Sequence, residues 1–191
     1  MFKKSKPEQL NKKAASSQNK PQEVIKSLNI RPGDIIADIG SGGGFYALEF
    51  AKKTTETGKV YALDTNPIFL DYIKEQIKSQ GIKNIEPILV KNNDIGLSER
   101  SIDLIFMRNV YHHLPEPIKY FARLKKYLKP NGRIAIIEYN KPRPFLFRLF
   151  HRGRHYTPES EIVDTLIRCG FIISNRFDFL SDQSFVIFRK E

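Results

Sequence analysis

Short apolar runs alternate with longer helix-like runs along most of the chain, and this alternation limits the possible folds more than any other feature. The strand-like runs are 35–40, 60–64, 86–90, 103–107, 133–139, 171–174 and 185–189. Most are apolar throughout, which is typical of strands covered on both faces. The helix-like runs lie near 44–54, 67–80, 116–128 and 158–168. Helix-length connections between strands predict right-handed crossovers and a mostly parallel sheet.

The last two strand-like runs are separated only by SNRFDFLSDQ. A connection this short suits a hairpin, because parallel strands need a crossover of a dozen or more residues. The sequence therefore predicts an α/β fold with a seven-stranded, mostly parallel sheet, an antiparallel edge strand and helices on both faces.

The 191 residues divide into a short polar segment and one domain. Residues 1–20 hold six lysines, one glutamate and few apolar side chains. This composition cannot offset the entropy of ordering, so we expect a flexible basic arm. Residues 21–191 are apolar enough for a single domain with its own core, which begins with a short helix at Pro21.

The net charge of +11 is unevenly distributed. Residues 1–20 carry +5, residues 115–155 carry +9, and the rest of the chain carries −3. Such basic segments suit nucleic acid, an anionic membrane surface or acidic substrates. No apolar run approaches the ~20 residues of a membrane span, and the start of the chain does not resemble a signal peptide. The single cysteine, Cys169, provides no disulfide or Cys-Cys metal site, so we expect a cytoplasmic protein without a bound metal.

A glycine-rich turn, ADIGSGGGFYALEFAKK, joins the first predicted strand to a helix. Residues 40–44, called here the glycine loop, allow a tight turn and close contact between ligand and backbone, which indicates a nucleotide-like cofactor. The loop lacks the lysine of a phosphate-binding Walker motif, and Phe45 replaces the third glycine of a dinucleotide-binding motif. Asp38 would repel a pyrophosphate, whereas it would attract a ligand with an ammonium and a sulfonium group.

With Asp38 ahead of Gly-x-Gly-x-Gly, the chain resembles the class I S-adenosylmethionine-dependent methyltransferases from about Pro21 to its end. The resemblance implies a Rossmann-like fold, S-adenosylmethionine as cofactor and a transferase activity. It also implies a set of cofactor-binding residues. These are Asp38, Gly40, Ser41, Gly42, Gly44, Asp64, Thr65, Asp94, Ile95, Arg108 and Asn109.

Their implied roles follow the order of the chain. Asp64 ends the second strand, where a carboxylate can accept hydrogen bonds from both ribose hydroxyls; the alternative is a helix N-cap. Asp94 and Ile95 match the turn that contacts the adenine. Arg108 and Asn109 follow the fourth strand, where the family places the methionine part of the cofactor.

Three titratable side chains, Tyr111, His112 and His113, come next. Either histidine could act as a general base, which methyl transfer needs only when the acceptor must lose a proton. The alternative is that these rings only pack the loop. Glu138, at the end of the fifth strand, could face the substrate or pair with an arginine.

Two missing sequence patterns restrict the class of acceptor molecule. The chain has RNVY where amino-methyltransferases carry Asn/Asp-Pro-Pro-Tyr/Phe, and one cysteine cannot supply the thiols of an arsenite methyltransferase. The nearest pattern is the small-molecule group that includes the quinone C-methyltransferases. We therefore expect in-line methyl transfer to a small apolar or anionic molecule in a closed pocket.

Arginine and phenylalanine alternate in the segment 141–156. We interpret this segment as a lid over the acceptor. Three alternatives stay open: a membrane-surface patch, a surface that stacks on single-stranded RNA, and a solvated loop. The corresponding functions are an RNA methyltransferase and a non-catalytic protein that binds the cofactor or a membrane surface.

Overall fold

A seven-stranded sheet forms the centre of the computed structural model, which describes residues 6–91, 94–141 and 156–191. Its strands are β1 Ile35–Ile39, β2 Lys59–Asp64, β3 Ile85–Leu89, β4 Ile102–Arg108, β5 Leu128–Tyr139, β6 Phe171–Phe177 and β7 Gln183–Lys190. The described helices are α1 Pro7–Ala14, α2 Pro21–Ser27, α3 Phe45–Thr54, α4 Pro67–Gln80, α5 Pro117–Tyr127 and α6 Glu159–Arg168. Single 3-10 turns lie at Ser17–Asn19 and Tyr111–His113.

The strand order is β3-β2-β1-β4-β5-β7-β6. The first five strands of this order are parallel, and β7 is antiparallel to both β5 and β6. The predicted α/β fold is thereby confirmed. The antiparallel strand, β7, lies one place inside the edge, because the β6–β7 hairpin inserts its second strand beside β5.

Helices cover both faces of the sheet and create two cores. On one face, α2, α3 and α4 pack their buried apolar side chains against the sheet, and on the other face α5 and α6 do so. Several helices begin at a proline in the first turn that precedes an apolar stripe. In α4, for example, Asn66 caps the first turn, Pro67 occupies the first helical position, and Gly81 ends the helix at φ +65°.

The N-terminal segment differs from the expected flexible arm. Residues 7–14 form α1, with Pro7 in the first turn and an apolar pair, Leu10 and Ala14, four residues apart. Ala14 belongs to the first core, and Leu10 packs against the glycine loop. Composition predicted disorder because it averages over the segment, whereas two apolar contacts at helical spacing are enough to dock one short helix.

None of the helices in the described ranges is long and apolar enough to cross a bilayer.

Candidate functional site

The carboxyl ends of β1, β2, β4 and β5 border a cavity of about 930 Å³. Its position follows from the strand order, because the chain winds to opposite sides of the sheet from the neighbouring strands β1 and β4. Open α/β sheets bind ligands in the crevice at this switch point. The volume lies near the upper end of the roughly 300–1,000 Å³ that is typical of small-ligand pockets.

Eight of the eleven predicted cofactor-binding residues line this cavity. They are Asp38, Gly40, Ser41, Gly42, Asp64, Thr65, Arg108 and Asn109. Gly44, Asp94 and Ile95 are the three that do not. The structure thus brings together residues from three strand ends that lie up to about 70 positions apart in the chain.

The glycine loop has a backbone that side chains would obstruct. Gly40 has φ +72°, and a Cβ atom there would lie 2.4 Å from Cγ2 of Val110. Gly44 begins α3 at φ +83°, and its Cβ would lie 2.7 Å from Cγ1 of Ile73. Gly44 therefore allows α3 to approach α4, and its contact with the cofactor stays a prediction.

We expect Gly40→Ala to destabilise the fold more than Gly81→Ala. Both glycines have positive φ, but a Cβ at Gly81 would meet no atom within 4 Å. Gly81→Ala then costs about 1–2 kcal/mol from the left-handed backbone alone, and Gly40→Ala costs about 1–3 kcal/mol more from overpacking. Urea denaturation measures both variants. Equal losses would show that Val110 moves aside freely.

Asp64 holds the glycine loop to the end of β2. Its Oδ2 accepts a hydrogen bond from the backbone N–H of Gly42 (2.9 Å), and its Oδ1 accepts one from the N–H of Asn66 (2.9 Å). The N-cap of α4 is Asn66, whose Oδ1 accepts from the N–H of Ile68 (3.1 Å). The helix-cap alternative for Asp64 is therefore wrong, and its carboxylate lies in the cavity wall.

Asp38 is a buried carboxyl whose Oδ2 has no hydrogen-bond partner in the described structure. Burial, with a smaller contribution from the charge of Asp64, raises its pKa from 3.8 to about 7. Ser41, whose Oγ also donates to the backbone oxygen of Asp38 (2.7 Å), and the backbone N–H of Ala47 offset part of this rise in pKa. A cation in the cavity would supply the missing partner.

Arg108 and Tyr46 line the cavity and carry two further buried polar atoms without partners. Nη2 of Arg108 donates to Oδ1 of Asn19 (2.6 Å) and Oε1 of Gln183 (3.1 Å), whereas its Nε is buried without a partner. The guanidinium lies 5.6 Å from the ring centroid of Tyr46, whose buried hydroxyl also lacks a partner. Burial raises the pKa of Tyr46, so its hydroxyl keeps its proton as a donor.

Asn109 is held in place by β7 and β5. Its Oδ1 accepts from Nε2 of Gln183 (2.6 Å), and its backbone N–H donates to the oxygen of Ile137 (2.8 Å). Gln183 and Tyr46 are site residues that the sequence analysis missed. Tyr46 stands two positions after the glycine loop, where the first turn of α3 must face the cavity, whereas Gln183 comes from a distant strand and carries no local signal.

Helix α1 covers part of the glycine loop. The side chain of Asn11 donates to the backbone oxygen of Gly43 (2.8 Å) and accepts from the N–H of Phe45 (3.1 Å). The second bond satisfies an N–H at the start of α3 that has no partner within the helix. Leu10 and Lys13 also line the cavity. The segment predicted to be an arm is thus part of the site.

Asp94 and Ile95 are not among the described residues that line the cavity, and their contact with adenine stays a prediction. Oδ1 of Asp94 accepts hydrogen bonds from the hydroxyl of Tyr127 and from the N–H of Gly96, and these bonds lower the pKa of Asp94. Ile95 is buried in the second core. Asp94 thus closes a local Asp-x-Gly turn, and burial stabilises Ile95 in the core.

His112 and His113 both line the cavity, with their ring centroids 4.0 Å apart. Tyr111 instead points into the second core, where its hydroxyl bonds the hydroxyl of Thr165 (2.8 Å). Glu138 does not line the cavity and pairs with His112, through Nδ1 and Oε1 at 3.0 Å. Among the described residues Glu138 therefore pairs with a histidine, and its predicted contact with the substrate stays a prediction. The predicted lid lies almost wholly outside the described residues, which omit 142–155.

A family model and two curated relatives match this chain, and all three are named for methyl transfer. Residues 30–175 match the family model described as "Methyltransferase domain". The ubiquinone/menaquinone biosynthesis C-methyltransferase UbiE of Francisella tularensis subsp. novicida is 29% identical over 124 residues, which are 64% of this chain and 49% of that protein. An arsenite methyltransferase of Halobacterium salinarum is 26% identical over 114 residues, 60% of this chain and 29% of that protein.

Among solved structures, a SAM-dependent methyltransferase from Aquifex aeolicus superposes with a TM-score of 0.82 at 28% identity. The match covers 97% of this chain and 98% of that one. The chain spans about half the length, or less, of the curated relatives that it matches. A solved structure therefore matches the fold over 97% of the chain, and the family model independently matches residues 30–175.

Proposed function

Because the chain belongs to the methyltransferase-domain family, whose cofactor is S-adenosylmethionine, we propose that it catalyses methyl transfer from this cofactor to a small acceptor molecule. The observation that carries the proposal is a set of three buried polar atoms without partners, on residues that line the cavity: Oδ2 of Asp38, the hydroxyl of Tyr46 and Nε of Arg108. They provide an acceptor and two donors. A ligand end that carries both an ammonium and a carboxylate satisfies all three.

The remaining residues suit the rest of the cofactor. Asp38 would hold the ammonium group, Arg108 and Tyr46 the carboxylate, and Asp64 the ribose hydroxyls. The glycine loop lets the backbone approach the ligand, and α1 covers it from outside. When bound, the cofactor supplies an electrophilic methyl group on a positively charged sulfur. The chain excludes water and aligns the acceptor with that methyl group.

The acceptor side of the cavity favours an aromatic molecule that carries hydroxyl groups. His112, His113, Leu114, Tyr120 and Tyr139 line this side with imidazole, phenol and apolar surface. A relative at 29% identity is named for quinone biosynthesis. We propose a hydroquinone or phenol as the acceptor, in a single domain of residues 21–191 against which α1 packs. Segment 141–156, which follows β5, is the proposed cover of the acceptor.

Binding and transfer assays test this function with the full chain. Calorimetry should show binding of S-adenosylmethionine, and [methyl-³H]S-adenosylmethionine with 1,4-dihydroxynaphthalene should place label in an organic extract. The controls are reactions in which total RNA replaces 1,4-dihydroxynaphthalene and reactions without any acceptor. Absence of cofactor binding at millimolar concentration, or label in RNA alone, would overturn the proposal.

We expect the affinity for S-adenosylmethionine to fall about tenfold from pH 8 to pH 6. The pKa of Asp38 is about 7, so roughly a tenth of this carboxyl is ionised at pH 6, and only the ionised form attracts the ammonium group. Calorimetry at the two pH values measures the change. Asp38→Asn should bind weakly at both, and an affinity that is constant in the wild type would contradict the assignment.

A further inference from the structure

Glu138 is a completely buried carboxyl on β5 that the site described above does not use directly. Its Oε1 lies 3.0 Å from Nδ1 of His112 and accepts a hydrogen bond from the N–H of Tyr139 (2.9 Å). Its Oε2 lies 3.4 Å from the backbone nitrogen of His112. The exposed fraction of Glu138 is 0%, and that of the His112 side chain is 7%.

A carboxyl at this position needs an explanation because its strand is otherwise apolar here. The residues before it, from Ile134 to Ile137, are buried apolar side chains. A buried carboxylate costs several kcal/mol unless it is paired and hydrogen-bonded. Among the described residues, the imidazole of His112 is the side chain that pairs with it. Glu138 is therefore placed to act on the imidazole ring of His112.

The hydrogen bond determines which ring nitrogen of His112 carries the proton. An ionised carboxylate only accepts hydrogen bonds, so Nδ1 must be the donor. In the neutral ring, Nε2 then carries the lone pair, and the ring lines the cavity. His113, the neighbouring ring, is exposed, whereas the ring of His112 is buried against Glu138. The geometry thus distinguishes two histidines that the sequence left equivalent.

We propose that Glu138 is a positioning residue that holds His112 in the Nδ1–H form, and that His112 is the base that takes a proton from the acceptor. This inference rests on the proposed function and deepens it, because a base is needed only where the nucleophile carries a proton. The acceptor class is then a phenol or hydroquinone.

The reaction balances with the groups named. A hydroxyl proton of the acceptor moves to Nε2 of His112, and the acceptor's electron pair forms the bond to the methyl carbon. The pair of the broken carbon–sulfur bond stays on sulfur, which becomes neutral. If a ring carbon is the nucleophile, the proton of that carbon returns to the oxygen. His112 later releases its proton to solvent.

Nitrogen-15 NMR of the four histidine rings tests the tautomer directly, at a pH where the rings are neutral. His112→Asn and His113→Asn assign the signals. The expected result is the Nδ1–H form for His112 in the wild type and a mixture of tautomers in Glu138→Gln. The Nε2–H form in the wild type would overturn the proposal, whatever the enzyme does with any acceptor.

Turnover of 1,4-dihydroxynaphthalene tests the consequence. We expect His112→Asn to lower kcat by about 10²–10⁴-fold, the usual contribution of a general base, and Glu138→Gln to lower it by at least about tenfold. The Kd for S-adenosylmethionine should stay within about twofold of the wild type in both, because neither residue is assigned to the cofactor. Glu86→Gln, a strand glutamate that pairs with Lys59 at the surface, is the matched control.

The outcomes separate the two proposals. A wild type that binds the cofactor but methylates no hydroxyl probe contradicts the proposed acceptor, while the NMR result still decides the role of Glu138. A wild type that turns over, with unchanged kcat in both variants, overturns the inference and leaves the proposed function standing. If Glu138→Gln does not fold, the wild-type tautomer and His112→Asn decide the question.

Discussion

Replacing Asp64 with alanine is expected to raise the Kd for S-adenosylmethionine by about 10²–10⁴-fold. The carboxylate is assigned two hydrogen bonds to the ribose, and a hydrogen bond to a charged group contributes about 1.5–3 kcal/mol. The same carboxylate also holds the N–H of Gly42 at 2.9 Å, so its removal loosens the glycine loop as well. Calorimetry on folded protein, verified by circular dichroism, measures the loss.

Asp71→Ala is the matched control for this effect. Asp71 lies on α4, and its exposed carboxylate pairs with Lys74 (2.9 Å) three residues later. Exposed pairs of this kind contribute at most about 1 kcal/mol to stability and have no path to the cavity. Its Kd should match that of the wild type. A loss of less than about tenfold for Asp64→Ala would reject the ribose assignment.

Replacing Asp38 with asparagine is expected to have opposite effects on stability and on binding. Without ligand at pH 8, the variant should unfold at a temperature at least about 2 °C higher, because it removes the cost of an unpartnered buried charge, which is on the order of 1 kcal/mol or more. With S-adenosylmethionine, it should lose most of the ligand-induced stabilisation, because the ammonium group loses its counter-charge.

The gain in thermal stability of Asp38→Asn should depend on pH through the raised pKa of Asp38. The pKa of Asp38 is raised from 3.8 to about 7 in the folded protein, so the folded state binds this proton more tightly than the unfolded state does. Stability is therefore lost as pH rises from about 4 to about 7 and is constant above that range. The advantage of Asp38→Asn should grow from pH 5 to pH 8 in thermal denaturation. Asp71→Asn should show no such growth, and an equal gain at both pH values would contradict the raised pKa.

The elements of the fold were predictable because each depends on local patterns. Strand-like runs, the Asn66-Pro67 start of α4 and the glycine loop all appear within a few neighbouring residues. The strand order at the β6 edge of the sheet could not be predicted, since the place of β7 beside β5 depends on how the β6–β7 hairpin docks. The docking of α1 was also missed, because it depends on the apolar contacts of Leu10 and Ala14 and the hydrogen bonds of Asn11.

The sequence by itself determined the α/β sheet, the glycine loop and the two carboxylates, Asp38 and Asp64, that end neighbouring strands. These follow from hydrophobic periodicity, from backbone geometry that only glycine adopts easily, and from the rule that parallel strands end at one edge. Only the tertiary structure decided which polar groups meet across long separations. In the folded chain, Asp94 accepts a hydrogen bond from the N–H of Gly96, the guanidinium of Arg108 lies 5.6 Å from the ring centroid of Tyr46, and Glu138 pairs with His112. Such pairs arise from packing between distant segments, and packing leaves no periodic signal in the chain.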